Sequence, residues 1–476
     1  MAKQRRIYLL NPQEIKPETI AVAFAKTSRS PKPFDEIAAE LNDARSAQFH
    51  ERWVVGYGHS SVAEHAVLHI AIENISRLAI ETIEGNRLAS YTEKSTRYQQ
   101  WEGEAFYLPV ELQDHPLRDA YIETCKALFT TYQACIPKVK EWLESVSEQD
   151  EGETAASYSR RIQSSAVDIC RFLLPAASLA NVGMTINARA LEYAICKMLS
   201  SPLEEVRSVG ERLRDVSQDE VPTLVKYAKC NAYLVGTREM MQQKSKEVVH
   251  SNFNRDITLL DYDPDGEDAV MAAVLYRFDV KPNFKDCLEH VKALTQVEKV
   301  QLVHELMSDR GPFDQPLREF EYVQMTFEAV MDQGAYFEFK RHRMMTQTVQ
   351  ALTADLGFAI PLGMIESGCG EAYRLVMRSA AQLYHQMESW NQDAASYIVP
   401  NGFNRRILFS MNLREAFHFC RLRAAENAHF SIRWVAYQVA EAIQKIYPVI
   451  GAYFDIPADS SSKDILKRYF YSTSEN

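Results

Sequence analysis

The chain has 476 residues, enough for two to four domains of ordinary size. With 46% hydrophobic and 25% charged residues, and only 17 glycines and 18 prolines, its composition is globular and favours helices over loops. The balance of 53 basic against 64 acidic residues leaves a formal charge of −11, which excludes a broad nucleic-acid-binding surface and confines any anion site to a local basic cluster.

At the amino terminus, Met1-Ala-Lys-Gln-Arg-Arg leads into a strand-like Ile7-Tyr-Leu-Leu instead of the apolar core of a signal peptide. No apolar run approaches the ~20 residues of a membrane helix. A cytoplasmic protein is expected, one that binds neither membrane nor nucleic acid. The eight cysteines are scattered without a Cys-x-x-Cys pair, so neither a disulfide frame nor a zinc knuckle is indicated.

Next comes Gly58-His-Ser-Ser-Val-Ala-Glu-His65, with His69 four residues further on. A histidine pair at that spacing suits a metal on a helix, but Ala66-Val-Leu-His-Ile-Ala-Ile-Glu73 mixes β-branched and apolar residues as half-buried strands do. No Cys or Asp completes a ligand set, so no metal is expected. A helix should follow the strand and lead to Gly85-Asn86-Arg87, then to Ser90-Tyr-Thr-Glu-Lys-Ser-Thr-Arg-Tyr98. The second segment carries hydroxyls, an acid and an arginine. It reads either as a polar edge strand or as a cradle for a phosphate and a sugar. The acidic stretch Ser147–Glu153 reads as a solvated loop, and Asn187–Leu199 as a helix.

The second half repeats the first. Ile7-Tyr-Leu-Leu-Asn and Glu18-Thr-Ile-Ala-Val-Ala return as Ile257-Thr-Leu-Leu-Asp and Glu267-Asp-Ala-Val-Met-Ala at an offset of about 250 residues. Leu173-Leu-Pro175 and Asn187-Ala-Arg189 return as Ile398-Val-Pro400 and Asn412-Leu-Arg414 at about 225. Matches in one order, with offsets constant inside each block, indicate a diverged tandem duplication. The expected domains are 1–235 and 257–476, joined by a polar linker over 236–256, each α+β. In the second copy a strand over Tyr322–Glu328 and a helix precede Lys340-Arg-His-Arg343, set between Phe337, Phe339, Met344 and Met345. Clustered charge dipping into an apolar surround needs an anion or carboxylates to offset desolvation. Downstream, Asn412, Arg414, His418 and Arg423 form polar stripes on an otherwise apolar helix, as a ligand groove would. Arg414 and Arg421 have no acid at helical spacing. The run Met411–Ile446 is long for one helix, so a kink or break is expected near Asn427. The copies are unequal: Thr346–Ala354 lacks the acid and arginine of Ser90–Tyr98, and Gly85-Asn86 replaces Arg341-His342. Arg171 faces Ser396, and Arg423 faces Met198. Each copy lacks what the other keeps.

Together these residues resemble the flavin-dependent thymidylate synthases, the ThyX family. The front block matches through Gly58, His59, Ser61, Glu64 and His65, and the second half of the family signature through Arg87, Ser95, Arg97 and Tyr98. The first half matches through Arg341, His342 and Arg343, and the following helix through Asn412, Arg414, His418 and Arg423. The resemblance implies two tandem ThyX-like domains, each a mostly antiparallel sheet with helices, arranged as a pseudo-dimer, and a homodimer of chains standing for the family's tetramer. It implies FAD as cofactor, held by Arg341, His342, Arg343, Asn412, Arg414 and His418 with Ser61 and Glu93 from the first copy. It implies dUMP as substrate, with Ser95, Arg97 and Arg171 on phosphate and sugar, Glu338 near the base, and Arg423 on the uracil as the catalytic group. Methylenetetrahydrofolate would give the carbon and NAD(P)H the reducing equivalents. Glu338 stands where the family often has Gln. That departure admits, as alternatives, a flavoprotein acting on another pyrimidine nucleotide or carbon donor, or a non-catalytic nucleotide-binding relative.

Overall fold

The computed structural model describes the whole chain except residues 1–5, 7, 9, 12–13, 29, 57–59, 98, 102–104, 250–255, 312, 458–459 and 472–476, and the side chain of Val55. Ile7 and Leu9 of the expected first strand, and Gly58, His59 and Tyr98 of the motifs, therefore lie outside the described residues. Two compact units interleave along the chain. The first comprises Met1–Lys94, Phe106–Pro116 and Ala177–His250, and the second Ser95–Ala105, Leu117–Ala176 and Ser251–Asn476.

The first unit is built on a three-stranded antiparallel sheet. Strands β1 (Val67–Ser76), β2 (Ala89–Glu93) and β3 (Leu179–Asn187) stand in the order β1-β3-β2. The central strand buries Ala180, Val182, Met184 and Ile186 in strict alternation, the period-two pattern of a sheet with one packed face. A register shift in β1 between Ile72 and Ile75 accommodates Asn74 at φ 57°, whose N–H donates to Asn181 Oδ1 at 2.9 Å. The expected helix follows β1 as Arg77–Glu84, capped by Ser76, whose Oγ accepts from Ala79 N. Asn187 caps the helix Ala188–Leu199 in the same way. The stretch read as a polar linker begins inside a helix, Ala232–Ser245, none of whose residues is buried.

The second unit carries a four-stranded antiparallel sheet in the order β4-β5-β7-β6, from β4 (Thr258–Tyr262), β5 (Gln324–Asp332), β6 (Thr346–Val349) and β7 (Asn404–Asn412). Ile407, Phe409 and Met411 alternate inward on β7, and Phe409 stacks on Phe327 of β5 at 5.3 Å. The segments proposed as polar cradle and its counterpart, β2 and β6, are both edge strands, and Ser95 and Arg97 come just after β2. The helix expected after β5 is Gln333–Phe339, capped by Asp332. The long run after β7 breaks as expected, into Leu413–Arg423 and Phe430–Ile446, with Asn427 in the gap. The acidic loop separates helices Arg118–Val146 and Ala155–Cys170, which pack on each other, and the first also packs with Gly370–Glu388.

One contact in this unit joins the repeated segments themselves. Pro175 and Pro400 form an isolated antiparallel bridge, with Ala176 N donating to Val399 O and Asn401 N to Leu174 O, both at 2.9 Å. At the repeat offset each of these two bonds is the equivalent of the other.

Candidate active site

Asn412 ends β7 and its side-chain oxygen accepts from Glu415 N at 2.8 Å, which starts the helix Leu413–Arg423 and sets the direction of Glu415, His418 and Arg423. Opposite, the helix Gln333–Phe339 ends at Lys340, whose N–H bonds Tyr336 O, and the chain turns through Arg341, His342 and Arg343. Lys340 and His342 are buried and Arg341 is exposed. Lys340 Nζ lies 4.9 Å over the Phe337 ring. His342 Nε2 receives Arg423 Nε at 2.9 Å, and Nδ1 is 3.2 Å from Glu415 Oε1. Burial, then the charges of Arg423 and Arg341, lower the His342 pKa to about 3, so the ring is neutral.

Arg423 Nη1 reaches Glu338 Oε2 at 3.3 Å, and Arg171 Nη2 reaches the other oxygen, Oε1, at 3.3 Å. Arg171, which follows the helix Ala155–Cys170, also donates to Gly334 O. Arg97 forks onto Asp168 with Nε and Nη2 at 2.9 to 3.1 Å and donates to Asn427 O in the helix break. Ser95 Oγ accepts from Arg97 N at 3.2 Å. Burial raises the Asp168 pKa, with Arg171 and Arg97 opposing it. Ser95, Arg97, Arg171, Glu338, Arg341, His342, Arg343, Asn412, Arg414, His418 and Arg423 therefore all belong to the second unit. Three guanidiniums share two carboxylates, leaving a surplus of positive charge suited to a phosphate monoester and an anionic ring edge.

Arg414 does have an acid, which sequence spacing along its own helix could not reveal. Its Nη1 meets Glu321 Oε1 at 3.0 Å and its Nε donates to Pro316 O, both from the segment before β5. Gln315, Glu321, Met344, Asn412, Arg414, Glu415 and His418 line a cavity of about 230 Å³. With Arg414 already paired to Glu321 and Glu415 beside His418, the donors and acceptors here fit a neutral amide edge of a flavin dinucleotide in a space of this size.

Two candidates belong to the first unit. Ser61 lies on a short helical turn, Ser60–His65, and with Phe24, Phe49, Trp53, Lys26 and Lys32 lines a cavity of about 630 Å³. Glu93 ends β2 with its side chain buried 3.4 Å from Arg77 Nη2. At the place of His342, Asn86 is buried and donates to Ile83 O. Sequence reasoning missed Asp168 and Glu415. Asp168 stands three residues before Arg171, an acid at helical spacing that could have flagged it, although its partner is Arg97. Glu415 stands in a Glu-x-x-His unit with His418, a metal spacing set aside because Glu426-x-x-His429 falls on the same stretch, and its partner is His342.

The family model for the thymidylate synthase complementing protein matches this chain twice, over residues 11–223 and 258–449. A UPF0159 protein of Chlamydia muridarum is 28% identical over 445 residues, covering 90% of this chain and 84% of that protein. A flavin-dependent thymidylate synthase of Clostridium tetani is 26% identical over 216 residues, which is 44% of this chain and 82% of that protein. Among solved structures, the UMP/dUMP methylase PolB of Streptomyces cacaoi, bound to 5-Br dUMP, aligns at 19% identity and a TM-score of 0.35, covering 42% of this chain and 95% of that one.

Proposed function

Because the chain belongs to the thymidylate synthase complementing protein family and carries the family's pattern twice, we propose that it is an FAD-dependent thymidylate synthase. It is an enzyme of the methyltransferase class. The reaction is reductive methylation of dUMP: dUMP, methylenetetrahydrofolate, NAD(P)H and a proton give dTMP, tetrahydrofolate and NAD(P)⁺. When bound, reduced flavin supplies the hydride.

The observation that carries the reading is the single Glu338 carboxylate with Arg171 on one oxygen and Arg423 on the other. The arginine assigned to phosphate comes from the first repeat and the one assigned to the base from the second, and they share one counter-ion. Arg97 and Arg171, with Ser95, hold the phosphate and sugar. Arg423 lies against the uracil and favours its N3-ionised form by placing fixed positive charge where negative charge develops. Glu338 stands near the base. Arg341, His342, Arg343, Asn412, Arg414 and His418 hold FAD, with Ser61 and Glu93 contributing from the first repeat.

On this reading the repeats, 1–235 and 257–476 about a 236–256 connector, each stand for one subunit, so that composite sites use residues of both. The self-equivalent bridge at Pro175 and Pro400 supports a pseudo-two-fold relation between them. Two chains would form a pseudo-tetramer in the cytoplasm. Among the described residues, no helix is long and apolar enough to cross a membrane. The test is tritium release from 5-tritiated dUMP with methylenetetrahydrofolate and NADPH, on protein whose flavin is measured by its absorption. A flavin-free protein that fails to take up FAD would refute the proposal. A second reading follows from Glu338, an acceptor-only carboxylate where an amide is usual: release from another pyrimidine nucleotide, and none from dUMP, would select it.

A further inference from the structure

We propose that Glu415 is a positioning residue, which fixes the tautomer of His342 and through it the orientation of Arg423. Arg423 Nε is a donor with no alternative role. A guanidinium nitrogen can only donate, so Arg423 Nε, 2.9 Å from His342 Nε2, requires a lone pair on that ring nitrogen. A neutral imidazole carries one N–H, which must then sit on Nδ1. That nitrogen is 3.2 Å from Glu415 Oε1, which accepts it.

Glu415 is held for this task. Its backbone N–H is tied to the Asn412 cap, and its side chain is only 9% exposed. The ring between is held by packing: Phe419, nearly perpendicular to it, is 4.9 Å away and His418 5.6 Å away, centroid to centroid. Without an acceptor at Nδ1 its N–H would be buried and unpaired, which offsets the Arg423 bond and admits the other tautomer, whose Nε2–H would point at the Arg423 Nε–H. Two donors facing each other would turn the guanidinium away from its place beside Glu338. The first repeat supplies an independent observation. Where the second has Glu415 it has Ala190, and where the second has His342 it has Asn86. Both members of the relay are present together in one repeat and missing together from the other.

The kinetic consequence rests on the thymidylate synthase reading, whereas the tautomer does not. The experiment therefore has two arms. In protein labelled with ¹⁵N-histidine, with the His342 signals assigned by their loss in His342→Gln, wild type should show a protonated Nδ1 and a bare Nε2. Glu415→Gln, whose amide oxygen can still accept, should keep that pattern, and Glu415→Ala should lose it. A wild-type ring protonated at Nε2, or a Glu415→Ala ring unchanged from wild type, would overturn the proposal. In turnover, Glu415→Ala should lower kcat by about tenfold or more, as a misoriented catalytic group does, while KM for dUMP stays within about twofold. Glu415→Gln should recover most of the loss. Equal loss in both variants would assign Glu415 a different role. An inactive wild type with the expected tautomer would remove the reaction and leave the relay. Should Glu415→Ala not fold, Glu415→Leu, which fills similar space without an acceptor, takes its place and should likewise lose the pattern, an unchanged ring again overturning the proposal.

Discussion

Glu338 is the one carboxylate shared by a buried guanidinium, Arg171, and a half-buried one, Arg423, so the pair keeps a surplus positive charge that a bound anion would offset. Replacing one member of such a cluster leaves charge uncompensated in a dry surround, which is costly. Glu338→Gln should therefore melt at a lower temperature than wild type, and dUMP should raise its melting temperature by more than it raises that of wild type. Scanning fluorimetry with and without nucleotide measures this, and an equal ligand-induced rise in the two proteins would contradict it. Arg423→Lys keeps the charge but loses both the Nε–H donated to His342 and the fork geometry. It should reduce kcat by about 10² to 10³, the loss typical of removing one preorganised donor. Measured at saturating dUMP, a loss below about threefold would remove Arg423 from the chemistry. At this scale the cationic half of the site was legible in the sequence, since Arg341-His342-Arg343 and the Asn412 to Arg423 helix are local patterns. Of its acids Glu338 was named through the resemblance, whereas the pairings of Asp168 and of Glu415 were not legible. Asp168 lies 71 positions from Arg97 and Glu415 73 from His342, and no local spacing connects residues that only the tertiary fold brings together.

Two helices begin alike. Asn187 caps Ala188–Leu199 and Asn412 caps Leu413–Arg423, each with its side-chain oxygen on the backbone N–H three residues later. Removing either by Asn→Ala should destabilise the protein by about 1 kcal/mol. The proposed roles separate them: Asn412→Ala should also weaken FAD binding, whereas Asn187→Ala should leave FAD affinity at the wild-type value. Flavin fluorescence titration distinguishes the two, and equal flavin affinities would count against a cofactor role for Asn412. The break between Arg423 and Phe430 was also legible, because the run from Met411 is too long for an ordinary helix. Its use was not legible. The gap releases the Asn427 carbonyl to accept from Arg97, and His429 then caps the next helix through Nδ1 to Ser431 N while its Nε2 meets Asp168 O. A helix carried through Asn427 would have committed that carbonyl to the backbone.

For the whole molecule, buried ionisable groups set the acid response, and their signs differ. His342, near 3 in the folded state against about 6.5 unfolded, leaves the unfolded chain binding more protons in that window. Its contribution to stability is lost as pH falls from about 6.5 towards 3, and His429, lowered by burial, acts in the same direction. Asp332 opposes them. Burial raises it to about 6, so its contribution is lost as pH rises from the ordinary aspartate range through about 6. Asp332→Asn, which keeps a capping side chain, should therefore make stability climb more steeply between pH 4 and 6 than in wild type. Urea unfolding at pH 4, 5 and 6 tests the sign. The distribution of the site leads to a second prediction at this scale. Arg97, Arg171 and Arg423 fall in one compact unit of one chain, so mixing Arg171→Ala with Arg423→Ala protein should restore no turnover. Recovery towards a quarter of wild-type activity would instead place the two arginines of one site on different chains.

The seam at Pro175 and Pro400 has a consequence of its own. Where such a self-equivalent contact joins separate chains, it forms only above some concentration, and every substitution in it arrives on both sides together. Here the two strands are tethered, so dilution cannot part them and a codon change alters one side only. Each side of the seam can therefore drift while the other holds its form, so a two-fold contact of this kind can persist long after the sequences on either side have ceased to match.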